Sequence, residues 1–160
     1  MIKSRYLAVL AAAASLSMLG AQPASAATNE AEDAPPFCSL NLATDVMVCA
    51  ATEAELAAKK GPQPYSTFIL ARFYDKADYA GSYLEVTNTA PCDTNSDVDF
   101  SDTNVGTTWN DRISSWHAYA DCEARIYENA TFGGASYGAY VDRNYVGDAL
   151  NDRTTSYRLY

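Results

Sequence analysis

Residues 109–116 read Trp109-Asn110-Asp111-Arg112-Ile113-Ser114-Ser115-Trp116, and residues 150–157 read Leu150-Asn151-Asp152-Arg153-Thr154-Thr155-Ser156-Tyr157. An apolar residue, an Asn-Asp-Arg triplet, two positions ending in a hydroxyl, a serine and an aromatic recur in one order. Upstream of each copy lies a second repeat: Tyr74-Asp75-Lys76-Ala77-Asp78-Tyr79-Ala80-Gly81, then Tyr127-Glu128-Asn129-Ala130-Thr131-Phe132-Gly133-Gly134. Paired recurrence of two different motifs marks a tandem duplication. The hairpin repeats lie further apart than the Asn-Asp-Arg repeats, so the first copy carries an insertion, within residues 88–106.

Around these motifs the chain alternates short β-branched and aromatic segments with Gly, Asn and Asp. Strands are expected at Phe68–Tyr74, Ser82–Thr87, Ser114–Tyr119, Ala124–Tyr127, Ser136–Val141 and Thr154–Tyr160, giving an all-β sandwich. In each hairpin Gly81 or Gly134 is expected to supply positive φ, and Tyr79 or Phe132 to fold back over Tyr74 or Tyr127. Phe37–Leu42 and Val46–Ala50, joined by Ala43-Thr44-Asp45, predict a small hairpin. Thr52-Glu53-Ala54-Glu55 has the form of a capping box opening a helix over about 52–59, which Gly61-Pro62-Gln63-Pro64 ends.

The first 26 residues carry Lys3 and Arg5, an apolar run from Leu7 to Leu19, and Ala24-Ser25-Ala26. This is the form of a secretory signal, with an apolar run too short for a membrane span. The chain divides into a signal peptide (1–26), an N-terminal extension (27–66, opening on a leader at 27–36) and a β domain (67–160). Export suits the four cysteines Cys38, Cys49, Cys92 and Cys122, an even count that favours two disulfides. Of the three possible connectivities, Cys38–Cys49 with Cys92–Cys122 keeps each bridge within one organisational unit. A formal net charge of −9 repels nucleic acid and anionic membrane and tolerates divalent cations.

A hard cation such as calcium takes six to eight oxygens at about 2.3–2.6 Å. The repeated loop concentrates them: Asp111 and Asp152 offer carboxylates, Ser114 and Thr155 hydroxyls, Arg112 and Arg153 backbone carbonyls. Asn, Asp and Ser are also ordinary turn residues; their duplication downstream of matching hairpins favours a binding role.

Together, the Tyr-to-Gly hairpins and the Asn-Asp-x-x-(Ser/Thr)-Ser loops resemble the βγ-crystallin family, over residues 67–160. The exported, disulfide-bearing form resembles its secreted actinobacterial members. The resemblance implies an all-β fold of two Greek-key motifs forming a crystallin-like sandwich, here with a small N-terminal disulfide hairpin and short helix. It also implies two calcium ions between the paired loops. One site would use the Asp75 and Arg112 carbonyls with the Thr155 hydroxyl, the other the Glu128 and Arg153 carbonyls with the Ser114 hydroxyl; Asp111 and Asp152 would bind metal or brace their loops. A secreted, monomeric, non-enzymatic calcium-binding module is the expectation. The alternative, hosted by the same fold, is a metalloproteinase inhibitor whose partner is an extracellular protease, with Ala90-Pro91-Cys92-Asp93-Thr94-Asn95 as the inserted loop.

Other motifs carry less. Asp97-Val98-Asp99 opens like an EF-hand, but Asp102 and Thr108 stand where that loop needs Gly and Glu. His117 has no nucleophile tied to it and reads as structural. Asp93, Asp97, Asp99 and Asp102 read as a solvated acidic loop, and the 12 tyrosines as core and cross-strand packing.

Overall fold

The computed structural model describes residues 36–64 and 66–160; the expected signal peptide and the expected leader as far as residue 35 lie outside them. Ten strands and one helix follow in order: β1 (Phe37–Asn41), β2 (Val46–Ala50), α1 (Glu53–Lys60), β3 (Phe68–Tyr74), β4 (Tyr83–Asn88), β5 (Phe100–Asp102), β6 (Ser115–Ala118), β7 (Ala124–Tyr127), β8 (Ser136–Tyr140), β9 (Asp142–Arg143) and β10 (Ser156–Leu159). They form two sheets, ordered β2-β1-β4-β3-β6-β9 and β5-β10-β7-β8.

The order is that of two Greek keys with exchanged third strands. β9, from the second motif, completes the first sheet by pairing with β6, and β5, from the first, completes the second by pairing with β10. The alternation along each strand sends one face inward, so the core forms between the sheets. Phe73, Leu84, Val86 and Trp116 from one sheet meet Ile126, Tyr157 and Leu159 from the other, all buried. Trp109 and Leu150, the apolar residues heading the two repeated loops, are buried in the same cluster.

Three sequence expectations take their observed form here. The helix opens on a capping box: the Thr52 hydroxyl accepts from the Glu55 N–H, and the Glu55 carboxylate accepts from the Thr52 N–H. The cysteines pair as Cys38–Cys49 and Cys92–Cys122. Gly81 and Gly134 have φ of 79° and 74°, and the rings of Tyr79 and Phe132 lie edge-on to Tyr74 and Tyr127 at 6.0 and 5.6 Å.

The N-terminal hairpin is more than an appendage. β1 runs parallel to β4, with Cys38 opposite Leu84 and Asn41 opposite Thr87, so the extension widens the first sheet. Its lock is Glu85, 1% exposed on β4. The Glu85 carboxylate accepts from Lys60 of α1, from Arg72 Nε and Nη2 on β3 at 3.0 and 2.7 Å, and from the Ser39 hydroxyl of β1 at 3.3 Å. Burial opposes ionisation of Glu85, but hydrogen bonds from Lys60 and Arg72 outweigh it and hold the carboxyl below its ordinary range.

Candidate functional site

The two Asn-Asp-Arg loops face each other across the pseudo-dyad. The Asp111 N–H donates to the Thr154 carbonyl at 3.0 Å, and the Asp152 N–H to the Ile113 carbonyl at 3.3 Å. Asp111 and Asp152 adopt left-handed backbone, φ 58° and 55°, a conformation that short polar side chains tolerate better than other non-glycine residues. Each carboxylate is held by its neighbour: Asn110 Nδ2 donates to Asp111 Oδ2, and Asn151 Nδ2 to Asp152 Oδ2, both at 2.7 Å.

Each loop docks on its own hairpin. The Ser114 N–H donates to the Tyr74 carbonyl and the Thr155 N–H to the Tyr127 carbonyl. One position on, Ser115 and Ser156, fully buried, donate to the Lys76 and Asn129 carbonyls at 2.6 Å and accept from the Tyr79 and Phe132 N–H groups at 3.1 Å. Sequence reasoning assigned these serines no role; their identity in both copies was the available signal.

This docking redistributes the donors. Ser114 Oγ donates to the carbonyl of Asp75 in its own hairpin at 3.0 Å and stands 3.4 Å from Asp152 Oδ1 across the dyad. The expectation set Ser114 beside the Glu128 and Arg153 carbonyls and gave the Asp75 carbonyl to Thr155; the structure sets Ser114 on Asp75 because the loop is anchored to the hairpin that precedes it. A carbonyl, a hydroxyl and a carboxylate thus converge from three segments, an oxygen-only set of the kind hard cations take. Among the described residues no three His, Cys, Asp or Glu side chains cluster as metal ligands. Burial pushes the Asp75 carboxyl up, against the Ser82 backbone hydrogen bond and the Lys76 and Arg112 charges that lower it. The second corner differs: Glu128 is ion-paired with the Arg153 guanidinium and accepts from the Ala135 N–H at 3.1 Å.

The inserted segment forms a separate feature. Residues 89–98 are exposed apart from Cys92, whose bridge to Cys122 ties them to the turn before β7. The Cys92 N–H donates to the Ala120 carbonyl and the Asp99 N–H to the Leu159 carbonyl, fixing both ends. Between them the side chains of Asp93, Asn95 and Asp99 accept from the backbone N–H groups of Asn95, Asp97 and Asp93. The loop is braced from within, and it walls an open cleft of about 530 Å³ that Asp121, Glu123, Arg125 and Tyr160 also line. His117 stands apart from both features, its ring stacked 3.6 Å from that of Tyr79 and its Nδ1 2.7 Å from Asp142 Oδ1.

Residues 73–139 match the family described as peptidase inhibitor family I36. The matched stretch takes in the first hairpin, the disulfide-held loop, the first Asn-Asp-Arg corner and most of the second hairpin. The fold itself, two sheets built from two Greek keys, is of the βγ-crystallin type. Solved structures similar to this chain include a double mutant of a betagamma-crystallin domain from Clostridium beijerinckii, 21% identical, covering 58% of this chain and 98% of its own, with a TM-score of 0.44. A betagamma-crystallin domain from Flavobacterium johnsoniae is 23% identical over 57% of this chain and 93% of its own, TM-score 0.42. The N-terminal domain of Protein S is 18% identical over 57% and 94%, TM-score 0.44. No curated protein sequence matches the chain.

Proposed function

We propose that this chain is a secreted peptidase inhibitor, acting on an extracellular metalloproteinase through the inserted loop at residues 89–99. The match of residues 73–139 to the peptidase inhibitor family carries the reading. The loop supports it physically. An inhibitor must present an exposed segment that does not lose its conformational freedom on binding, and a segment tied by a disulfide and by its own side chains has already lost it. The test is titration of a thermolysin-type protease with the oxidised chain. Tight inhibition that falls at least about tenfold in Cys92→Ala/Cys122→Ala is expected; proteolysis that proceeds unhindered rejects the reading. No enzymatic activity is proposed for the chain itself.

A second reading, calcium binding at the paired corners, is favoured by the convergence of the Ser114 hydroxyl, the Asp75 carbonyl and the Asp152 carboxylate. Arg112, Arg153, Glu128 and Thr155 would contribute the remaining carbonyls and hydroxyl, with Asp111 serving the opposite corner. A cation bound only by the folded chain stabilises it by about 2.7 kcal/mol at a hundredfold excess over Kd, and by about 1 kcal/mol at millimolar calcium if Kd lies in the extracellular range. Calorimetric titration should show binding that Asp111→Ala/Asp152→Ala abolishes; a melting temperature indifferent to calcium rejects it. The readings are compatible, since the corners and the loop are separate surfaces.

A further inference from the structure

The edges of the two sheets are not guarded alike. β9 is two residues long and charged, β5 spans three residues, and β8 slips register against β7. Shortness, charge and bulges are the devices that keep edge strands from pairing with other chains. β2 has none of them in its own residues, and its guard is Lys59 of α1, on the Cys49 carbonyl. It runs five residues in unbroken register with β1, and Val46-Met47-Val48-Cys49-Ala50 contains neither charge nor proline. Val46 and Met47 are 53% and 36% exposed.

The register determines what this edge offers. Cys38 and Cys49 stand opposite one another with Cα atoms 4.1 Å apart, the narrow spacing of a non-hydrogen-bonded antiparallel pair. The backbone groups of Cys49, and by alternation those of Met47, therefore point away from β1. The contact at Cys49 agrees: Lys59 Nζ, reaching from α1, donates to its carbonyl at 2.8 Å.

We propose that β2 is a self-association edge, pairing antiparallel with β2 of a second copy of this chain about a two-fold axis through Val48. In that register Met47 of each copy stands opposite Cys49 of the other. Each Met47 N–H meets the other copy's Cys49 carbonyl, and each Cys49 N–H the other copy's Met47 carbonyl, once Lys59 swings aside. The charges complement: Asp45 precedes β2 at one end and Lys59 sits at the other, so the two-fold sets each acidic end against the opposite basic end. A strand from an unrelated protein could match the hydrogen bonds without matching both ends. The contact closes on itself, and being one strand wide it is weak and concentration-dependent. It does not depend on either functional reading above.

Sedimentation equilibrium of the full oxidised chain should show a reversible monomer–dimer equilibrium. Met47→Pro removes an outward N–H without touching the β1 ladder and should be monomeric with an unchanged melt. Val46→Lys, which adds a cation at the end facing Lys59 of the second copy, should weaken association at least about tenfold even if the proline variant fails to fold. The register has its own readout: Val48→Cys, facing itself across the axis, should give a disulfide-linked dimer under mild oxidation, whereas Val46→Cys, opposite Ala50, should not. A chain monomeric at every concentration overturns the proposal and leaves the edge to a strand of another protein. A dimer indifferent to Met47→Pro and Val46→Lys overturns it by moving the contact elsewhere.

Discussion

The two Greek keys agree where the chain turns and disagree where it meets something else. Both use a serine to lock the hairpin, Ser115 or Ser156, and both send an aspartate N–H across the dyad. The first key adds the disulfide-held insertion and the docked extension, gathered on Glu85. At the corresponding place the second key has Gly138, whose carbonyl accepts from Arg125 Nη2 at 3.1 Å. Even the shared corner aromatics carry different neighbours: His117 stacks on Tyr79, while the Arg158 guanidinium lies 4.1 Å above Phe132. The duplicated residues make the frame; the unduplicated ones give each half its separate contacts.

The strongest challenge to this comparison is at the heads of the repeated loops. Trp109 and Leu150 occupy equivalent buried positions, 0% and 3% exposed. Trp109→Ala should cost about 3–5 kcal/mol and Leu150→Ala about 2–5 kcal/mol, read by urea denaturation. Equal and small effects would mean that the loops are not anchored through the core. Next, Cys92→Ala/Cys122→Ala opens a closure of 30 residues and should cost about 3 kcal/mol without altering calcium titration at the corners.

Glu85→Gln tests the lock on the extension. It weakens the contacts to Lys60, Arg72 and Ser39 and should cost about 1–3 kcal/mol at neutral pH. The pH profile fixes the sign. Because the folded-state carboxyl is held below its ordinary value of 4.5, its contribution is full above that pH and disappears as pH falls through the folded-state value. Wild type and Glu85→Gln should therefore converge in melting temperature on acidification; a gap that persists in acid would put the cost in packing instead. The smallest difference is expected between the hairpin glycines. A Cβ at Gly81 would lie 2.0 Å from Asp75 Oδ1, a buried atom, whereas one at Gly134 would lie 2.7 Å from Asn129 Nδ2, the end of an exposed side chain. Both alanine variants strain positive φ, at about 1–2 kcal/mol, and Gly81→Ala should melt lower.

Much of this was legible in the residues. Two motifs repeated in the same order announce a pseudo-dyad, Thr52 and Glu55 announce a helix start, and a pair of cysteines flanking a short turn announces a closed hairpin. The exchanged strands were not legible, because β9 with two residues and β5 with three are too short to show a period of two. Nor was the Glu85 lock, whose partners come from three segments of a chain in which a lone glutamate between apolar residues reads as solvent-facing. The parallel seating of β1 on β4 left no local signal either, since pairing between distant strands is written in neither one alone. At the corners the hydrogen-bond partner of Ser114, the Asp75 carbonyl, was not legible, because it depends on which hairpin its loop leans against.

The traded third strands bear on how the molecule comes apart. Each sheet borrows its closing piece from the opposite half, so neither half could be completed by itself. Expression of either repeat alone should give an open, sticky fragment, and the two halves of the intact chain should melt in a single step, with any clamp placed on one oxygen-lined corner felt at the other.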